Sequence, residues 1–272
     1  MADDERPIIE LRGICKSFDG HRVLEDISLS IERGRTTAVI GPSGCGKTVL
    51  LKHMIGLMRP DRGRVLFDGT DITDAAERDL VGVRRRVGFL FQSGALFDSM
   101  TVAENTHFPL IEHGIRSREE LGRRCREVLR LVGLDGLQDR MPEQLSGGQR
   151  KRVALARAIA LSPDVIMYDE PTTGLDPIRA DLINELILKL QNELHTTALV
   201  VTHDMKSAMK VADRMVMLYN GRVLADTTPE GLTEMTDDVV VRFVEGRATR
   251  EELDELKHGR AAQGSDDERA NA

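Results

Sequence analysis

The amino-acid sequence predicts an α/β protein with an antiparallel β portion near its N-terminus and an inserted α-helical subdomain. Residues 8–18 and 23–31 alternate between apolar and polar side chains, which is typical of half-buried strands. The apolar run at residues 36–40 ends at a glycine, as a buried strand does where it enters a loop. Residues 93–161 carry little strand signal, and apolar strands return only after them. We therefore interpret the middle of the chain as helices inserted into an α/β core.

Composition limits the classes of protein to which the chain can belong. It has 272 residues, 40% of them apolar and 31% charged, which is a globular mixture that can bury a large core. The net charge of −7 does not favour a phosphate backbone, so we expect no nucleic-acid partner. The three cysteines form no CxxC pair, which argues for a reducing compartment and against a zinc site. We expect neither a membrane-spanning helix nor a secretory signal, because the longest uncharged stretch is too short and the N-terminus is acidic.

Helix and turn signals place the remaining elements. A helix from Lys47 is expected to stop near Gly56, and a strand follows at residues 63–69. Ser117-x-x-Glu120 is a capping box that opens a helix, and a further helix is expected over residues 149–161. The predicted division is a core of residues 1–92 and 163–228, a helical subdomain of 93–162, a C-terminal extension of 229–258 and a disordered tail of 259–272.

The last part of the chain returns to α/β patterning. Residues 165–170 form an apolar strand that ends in two acids, and Asp176 caps a helix with proline at its first position. Asn220-Gly221 joins two strands in a hairpin. Thr249-x-x-Glu252 is expected to cap a final short helix before the polar tail.

The strongest chemical signal is a glycine-rich loop that fits the pattern GxxxxGK[ST]. Its glycines allow backbone N–H groups to approach phosphate oxygens, and the following helix presents its N-terminus to the anion. Lys47 would reach the β- and γ-phosphates of a nucleotide, and the Thr48 hydroxyl would coordinate Mg²⁺. The alternative is a glycine-rich turn with a chance Lys-Thr pair, which the strand before it and the helix after it disfavour. The loop residues are Gly41, Pro42, Ser43, Gly44, Cys45, Gly46, Lys47 and Thr48.

Two adjacent carboxylates follow a later apolar strand. Asp169 would hold Mg²⁺ directly or through water, and Glu170 is placed to accept a proton from the attacking water. The alternative is two solvated carboxylates at a strand end, but the phosphate-binding loop favours the catalytic interpretation.

Further motifs resemble those of the ATP-binding-cassette (ABC) ATPases, in the order in which that family has them. Residues 145–149 read LSGGQ, the family signature. Gln92 matches the Q-loop, residues 173–176 match the D-loop, and His203 matches the switch histidine. Phe18 matches the aromatic residue that stacks on adenine. The resemblance covers roughly residues 8–228 and implies a P-loop NTPase fold that hydrolyses ATP.

The resemblance also implies roles and an assembly. Two copies would pair head to tail as a homodimer, with each ATP between the phosphate loop of one copy and Ser146, Gly147, Gly148 and Gln149 of the other. Gln92 would contact Mg²⁺ or the attacking water and His203 would hold the γ-phosphate, unless both are ordinary polar residues. Asp176 either caps its helix alone or also contacts the second copy. Phe18 either stacks on the base or belongs to the core.

A more specific resemblance predicts the process that ATP hydrolysis would drive. A single cassette without a long coiled coil favours a transporter whose membrane domains are on separate permease chains. Residues 90–102 and 239–246 resemble the cassettes of Mla-type transporters, which move phospholipids across the bacterial envelope with MCE proteins. That resemblance implies an MCE-domain protein and a small STAS-domain protein as partners, and a peripheral position on the cytoplasmic face of the inner membrane. The alternatives are a cassette of an amino-acid or small-solute importer and a soluble ABC ATPase without a transport role.

Overall fold

The computed structural model describes residues 6–248, so the predicted cap at Thr249 and the tail after residue 258 lie outside the described residues. The described residues form ten strands and nine α-helices. The strands are β1 (Ile9–Phe18), β2 (His21–Ile31), β3 (Thr36–Ile40), β4 (Arg62–Phe67), β5 (Thr70–Asp71), β6 (Val87–Leu90), β7 (Val165–Asp169), β8 (Thr197–Val201), β9 (Arg214–Tyr219) and β10 (Arg222–Thr227). The helices are α1 (Lys47–Met54), α2 (Glu77–Arg85), α3 (Val102–Glu112), α4 (Arg118–Leu131), α5 (Gly147–Ala158), α6 (Pro177–Leu194), α7 (Met205–Val211), α8 (Pro229–Glu234) and α9 (Asp238–Glu245).

The N-terminal strands form the predicted antiparallel sheet, in the order β2-β1-β4-β5. Ile9, Leu11 and Ile14 of β1 are buried, and the residues between them are more exposed, so the sheet covers the core with one face. This sheet lies over α1, because its apolar residues and those of α1 belong to one buried cluster.

The second sheet has the order β10-β9-β3-β8-β7-β6, and its strands from β9 to β6 are parallel. Strands β3, β7 and β8 are buried along their whole length, which explains their mainly apolar sequences. The antiparallel edge pair β9–β10 turns at Asn220 and Gly221, whose φ angles are 48° and 73°, so the predicted hairpin is confirmed. The α/β fold with its antiparallel portion is therefore confirmed.

Helices alone connect β6 to β7 among the described residues. Their apolar residues form a second buried cluster with β7 and α6. Helix α5 begins at Gly147, two residues before the predicted start, because Ser146 already caps it, and it ends at Ala158 rather than Leu161. Of the predicted capping box on α4, only the bond from the Glu120 N–H to the Ser117 hydroxyl is formed within residues 6–248. The predicted domain boundaries remain predictions.

The chain continues beyond the hairpin into α8 and α9. Val240 and Leu232 are buried against the face of β3 and β9, so these helices belong to the folded body. No helix within residues 6–248 has the length and the apolar character needed to cross a membrane.

Candidate functional site

The predicted site residues meet at one edge of the parallel sheet. Strands β3, β8, β7 and β6 are neighbours, and their carboxyl ends point to the same side. The phosphate loop follows β3, and His203 follows β8. Asp169 ends β7, Glu170 comes directly after it, and Gln92 follows β6. Ligands of open α/β sheets bind at this edge, so the topology alone brings four separated motifs together.

The phosphate loop needs two of its glycines for steric reasons. Gly41 and Gly46 have φ angles of 147° and 102°, which are unfavourable for residues with a side chain. A Cβ atom at Gly41 would collide with the carbonyl oxygen of Leu218, and one at Gly46 would lie 2.7 Å from Leu24 Cδ2. Gly46 is the N-cap of α1 and supplies no side-chain acceptor, so the first N–H groups of α1 remain available to an anion.

The Lys47 side chain lies inside the loop. Its Nζ donates to the carbonyl oxygens of Gly41 at 2.7 Å and Pro42 at 2.9 Å, and the residue is 7% exposed. Within residues 6–248 no carboxylate forms a salt bridge with it. A buried ammonium group that is held mainly by backbone carbonyls, with no carboxylate on it, fits a loop that binds a triphosphate.

Cys45 is half-buried in the same loop, with its Sγ 3.9 Å from Lys47 Nζ. Burial raises the pKa of the Cys45 thiol above its ordinary value, so the thiol form is favoured at neutral pH. Because a thiol is a much weaker nucleophile than a thiolate, we interpret Cys45 as a passive residue of the loop.

Thr48 and Asp169 form an oxygen pair beside the loop. The Thr48 hydroxyl lies 3.3 Å and 3.4 Å from the two carboxylate oxygens of Asp169. Burial raises the pKa of Asp169, and the hydrogen bond from Thr48 opposes this change. Because Mg²⁺ takes one or two protein oxygens and completes its shell with phosphate and water, a hydroxyl and a carboxylate at this spacing fit the ion.

Glu170 is held in one orientation by three neighbours. Its Oε1 lies 2.9 Å from His203 Nδ1, and its Oε2 accepts hydrogen bonds from the hydroxyls of Thr173 at 3.2 Å and Thr202 at 3.3 Å. Glu170 itself has a φ of 50°, a left-handed conformation that is costly for a non-glycine residue. The structure thus brings Glu170 and His203 into direct contact, with the glutamate side chain 12% and the histidine side chain 55% exposed.

The signature segment begins a second helix. The Ser146 hydroxyl accepts from the Gln149 N–H at 3.3 Å, and Gln149 Oε1 accepts from the Ser146 N–H at 2.9 Å. This capping box fixes the start of α5, with Gly147 and Gly148 as its first two helical residues. No hydrogen bond among the described residues joins this segment to the phosphate loop.

The structure bears on the alternative roles of Asp176 and Phe18. Asp176 caps α6, because its carboxylate accepts from the N–H groups of Ile178 at 3.1 Å and Arg179 at 3.0 Å. Phe18 ends β1 and is 40% exposed, so the alternative that it belongs to the core is wrong. Its ring lies 5.6 Å from Lys16 Nζ and presents an open face to which a base could stack.

Sequence reasoning missed Lys151. Its Nζ donates to the carbonyl oxygens of Gln92 at 2.5 Å and Glu170 at 3.3 Å, although all three residues lie far apart in the sequence. One signal could have found it: Lys151 shares a helical stripe with the buried Ala154 and Leu155, where an apolar residue is expected.

A glycine-rich loop that opens a helix beside paired carboxylates, at the carboxyl edge of a parallel sheet, defines a P-loop nucleoside triphosphatase. A family model described as "ABC transporter" matches residues 24–173, which is more than half of the chain. The chain therefore belongs to the ABC transporter family.

Relatives with known names agree with this membership. The chain is 43% identical over 239 residues to "Probable ribonucleotide transport ATP-binding protein mkl" of Mycobacterium leprae, over 88% of this chain and 69% of that protein. It is 41% identical over 241 residues to "Intermembrane phospholipid transport system ATP-binding protein MlaF" of Haemophilus influenzae, over 89% and 91% of the two chains.

A solved structure extends the comparison to the bound nucleotide. The dimeric post-hydrolysis state of the ATP-binding cassette MJ0796 bound to ADP and Pi is similar with a TM-score of 0.75 and 34% identity, over 81% of this chain and 98% of that one. Together these findings show that the chain is the ATP-hydrolysing subunit of an ABC transporter.

Proposed function

We propose that this ATPase powers phospholipid transport of the Mla type across a bacterial envelope, through a permease on separate chains. The observation that carries the proposal is the match to MlaF, which spans 89% of this chain and 91% of the relative and so reaches nearly from end to end. An MCE-domain protein and a small STAS-domain protein complete the proposed assembly, which lies on the cytoplasmic face of the inner membrane.

The geometry supports specific roles in hydrolysis. The phosphate loop and Lys47 hold the β- and γ-phosphates of ATP, and Thr48, Asp169 and Gln92 hold Mg²⁺. When bound, Mg²⁺ neutralises charge on the phosphates. Glu170 accepts the proton of the attacking water, and its bonds to His203 and two threonine hydroxyls keep its carboxylate in place.

Head-to-tail pairing completes each site. Because α1 and α5 present their N-termini in separate parts of one chain, a phosphate that contacts both needs a second copy. Ser146, Gly147, Gly148 and Gln149 then face the triphosphate of the partner copy, and Asp176 lies at the same interface. Phe18 stacks on the adenine. ATP bound between two copies stabilises the closed dimer, and hydrolysis releases it.

An aromatic groove is the proposed contact for the permease. A cavity of about 300 Å³ lies between the parallel sheet and the inserted helices, and Phe91 and Phe97 expose about two fifths of their surface there. The Phe97 and Phe108 rings pack at 4.7 Å between centroids, and Arg84, Arg85 and Arg157 line the same cavity. An apolar floor with cationic sides is suited to an amphipathic helix of the permease.

The first experiment tests hydrolysis. Glu170→Gln keeps the shape of the side chain and removes the base, so we expect turnover to fall about 10²–10⁴-fold. ATP affinity should be retained and the ATP-bound dimer should become detectable by size-exclusion chromatography. Glu193→Gln, an exposed position on α6, is the matched control and should behave as the unaltered protein. Normal turnover of the Glu170 variant would reject the assigned base.

The second experiment tests the substrate. The tagged Glu170→Gln chain is isolated from native membranes in a mild detergent, and its protein and lipid content is determined by mass spectrometry. We expect a permease, an MCE-domain protein and enriched phospholipid, and in liposomes phospholipid should stimulate the ATPase of the unaltered complex.

One finding favours a second candidate, a small-solute importer. The name of the M. leprae relative refers to ribonucleotide transport, and that relative shares 43% identity with this chain. In the same isolation, a permease with a solute-binding protein and stimulation by the solute would support the importer and reject lipid transport.

A further inference from the structure

Lys151 is a buried lysine that forms no salt bridge within residues 6–248. It lies in the first half of α5 and is 7% exposed. Its Nζ donates only to backbone carbonyls, those of Gln92 and Glu170. Burial lowers the pKa of Lys151, and the nearby negative charges of Glu170 and Asp169 oppose this change. A buried lysine costs stability unless its hydrogen bonds are satisfied, so its position calls for a role.

The two acceptors occupy equivalent places on neighbouring strands. The parallel pairing of β6 and β7 ends with Leu90 beside Tyr168. Gln92 and Glu170 each lie two residues further on, where the strands no longer pair with each other. Lys151 Nζ bonds to both carbonyls and so takes the place of the missing strand pairing. The spacing between the Gln92 and Glu170 backbones is therefore set by a side chain of α5.

The same helix also holds the residues after Gln92. Arg157 donates to the carbonyl oxygens of Ala95 at 2.8 Å and Gly94 at 3.0 Å, and its guanidinium lies 5.5 Å from the centroid of the Phe97 ring. Since Phe97 lines the aromatic groove, α5 connects that groove to the edge of the sheet. Its N-terminus is the signature segment that begins at Ser146. Three functional regions therefore share one rigid element.

We propose that Lys151 is a positioning residue for hydrolysis, which holds the Glu170 and Gln92 backbones in register with the signature helix. This inference rests on the proposed roles of Glu170 and Gln92. When α5 is in its place, the Glu170 carboxylate faces the attacking water; when α5 is displaced, the strained backbone at Glu170 relaxes. Lys151 forms no hydrogen bond with the phosphate loop among the described residues, so the step that it controls is turnover and not ATP binding.

The test uses Lys151→Met in the full-length chain. Methionine keeps the length of the side chain and removes its N–H donors. We expect single-turnover hydrolysis to slow about 10–100-fold while the KM for ATP stays within about threefold. Lys151→Arg restores donors to both carbonyls and should recover most of the rate.

Arg152→Met is the matched control. Arg152 is the next residue of α5, and it also donates to two backbone carbonyls, those of Val132 at 3.2 Å and Gly133 at 3.1 Å, within the inserted helices. Burial lowers its pKa as well. We expect a similar fall in melting temperature for Arg152→Met and Lys151→Met, with hydrolysis slowed only in the latter.

Three outcomes would overturn the inference. Lys151→Met could hydrolyse ATP as fast as Arg152→Met, it could lose rate only through a raised KM, or arginine could fail to restore the rate. Should the methionine variant not fold, Lys151→Ala, which also removes the N–H donors, is measured against Arg152→Ala with the same criteria. Glu170→Gln is measured in parallel. Normal turnover of that variant rejects the proposed role of Glu170, on which the inference rests, whereas loss of turnover there with a normal Lys151 variant rejects the positioning role alone.

Discussion

Two helices of this protein present their N-termini to the proposed triphosphate sites, and their first turns differ. Helix α1 begins after Gly46, which has no side chain to cap it, so its first N–H groups have no side-chain acceptor. Helix α5 begins after Ser146, whose hydroxyl already accepts from the Gln149 N–H, and Gln149 returns a bond. One N-terminus is open to an anion and the other is partly satisfied by its own chain.

The difference indicates how binding and assembly are divided. An open helix start beside a buried lysine can bind phosphate in a single copy, whereas a start that caps itself gains less from an anion. The α1 end is therefore suited to bind ATP in a single copy, and the α5 end to make a contact that forms and breaks with each cycle. The following variants test this division, in order of decreasing effect.

Lys47→Ala should have the largest effect. The substitution removes the ammonium group at the start of α1. Because a charge-assisted hydrogen bond contributes about 1.5–3 kcal/mol, we expect ATP affinity to fall about 100-fold or more. Titration with a fluorescent ATP analogue measures it. The control is Lys52→Ala, an exposed lysine in the last turn of the same helix. Equal affinity in the two variants would count against the assignment of the loop.

Ser146→Ala should leave binding to the single chain intact and weaken assembly. In the Glu170→Gln background, we expect ATP-driven dimerisation to weaken about tenfold, because a charge-assisted hydrogen bond to phosphate is lost. Ser117→Ala is the matched control, since Ser117 caps α4 with a comparable bond to Glu120 N–H. Each variant should lose about 1 kcal/mol of unfolding free energy, measured by urea titration. Equal dimerisation of the two variants would contradict the proposed role of the α5 end.

Asp176 tests whether a cap also serves the interface. Asparagine caps as well as aspartate, so Asp176→Asn should keep the unfolding free energy while Asp176→Ala loses about 1 kcal/mol. Asp237→Ala, which removes the same kind of cap from α9, gives the reference loss. A weaker ATP-bound dimer in the asparagine variant would establish a contact with the second copy, because only the charge has changed.

Local signals in the sequence predict the start of α1 better than the start of α5. The GxxxxGK[ST] pattern, the buried strand before it and the helix after it locate the α1 end without a structure. Asp176 with Pro177 likewise marks the start of α6 correctly, since cap and proline act within one turn. The pattern for α5 is less clear, because the two glycines after Ser146 are typical of a loop and predict a helix only from Gln149, two residues late.

Contacts between residues that are distant in the sequence could not be predicted from the sequence. Nothing local links Lys151 to Gln92 and Glu170, because their contact depends on how α5 packs across the ends of β6 and β7. The Glu170–His203 contact likewise depends on the order of the strands, which places β7 beside β8. A pattern along the chain predicts which residues have functional chemistry, whereas tertiary packing decides which of them meet.

The smallest expected effect is on the stability of the nucleotide-free protein and comes from Asp169, beside the phosphate loop. Burial raises the pKa of Asp169 above its ordinary value of 3.8, so its ionised form is less favourable in the folded chain than in the unfolded one. The protonated Asp169 therefore contributes fully to the free energy of unfolding when the pH is below that ordinary value. This contribution is lost as the pH rises through the raised pKa. Without nucleotide and Mg²⁺, Asp169→Asn should raise the melting temperature at pH 7.5 by about 2–4 °C for each kcal/mol relieved.

The gain should shrink as the pH falls through the raised pKa of Asp169, because the carboxyl group then takes up a proton and resembles the amide. Asp135→Asn, at an exposed position between α4 and α5, should show no such pH-dependent difference. A lower melting temperature for Asp169→Asn at pH 7.5 would mean that the bond from Thr48 outweighs the cost of burial. Asp169→Asn should also weaken Mg²⁺-dependent ATP binding, because the amide is a poorer ligand for the ion than the carboxylate. The Asp169 carboxylate therefore serves function and lowers the stability of the nucleotide-free protein.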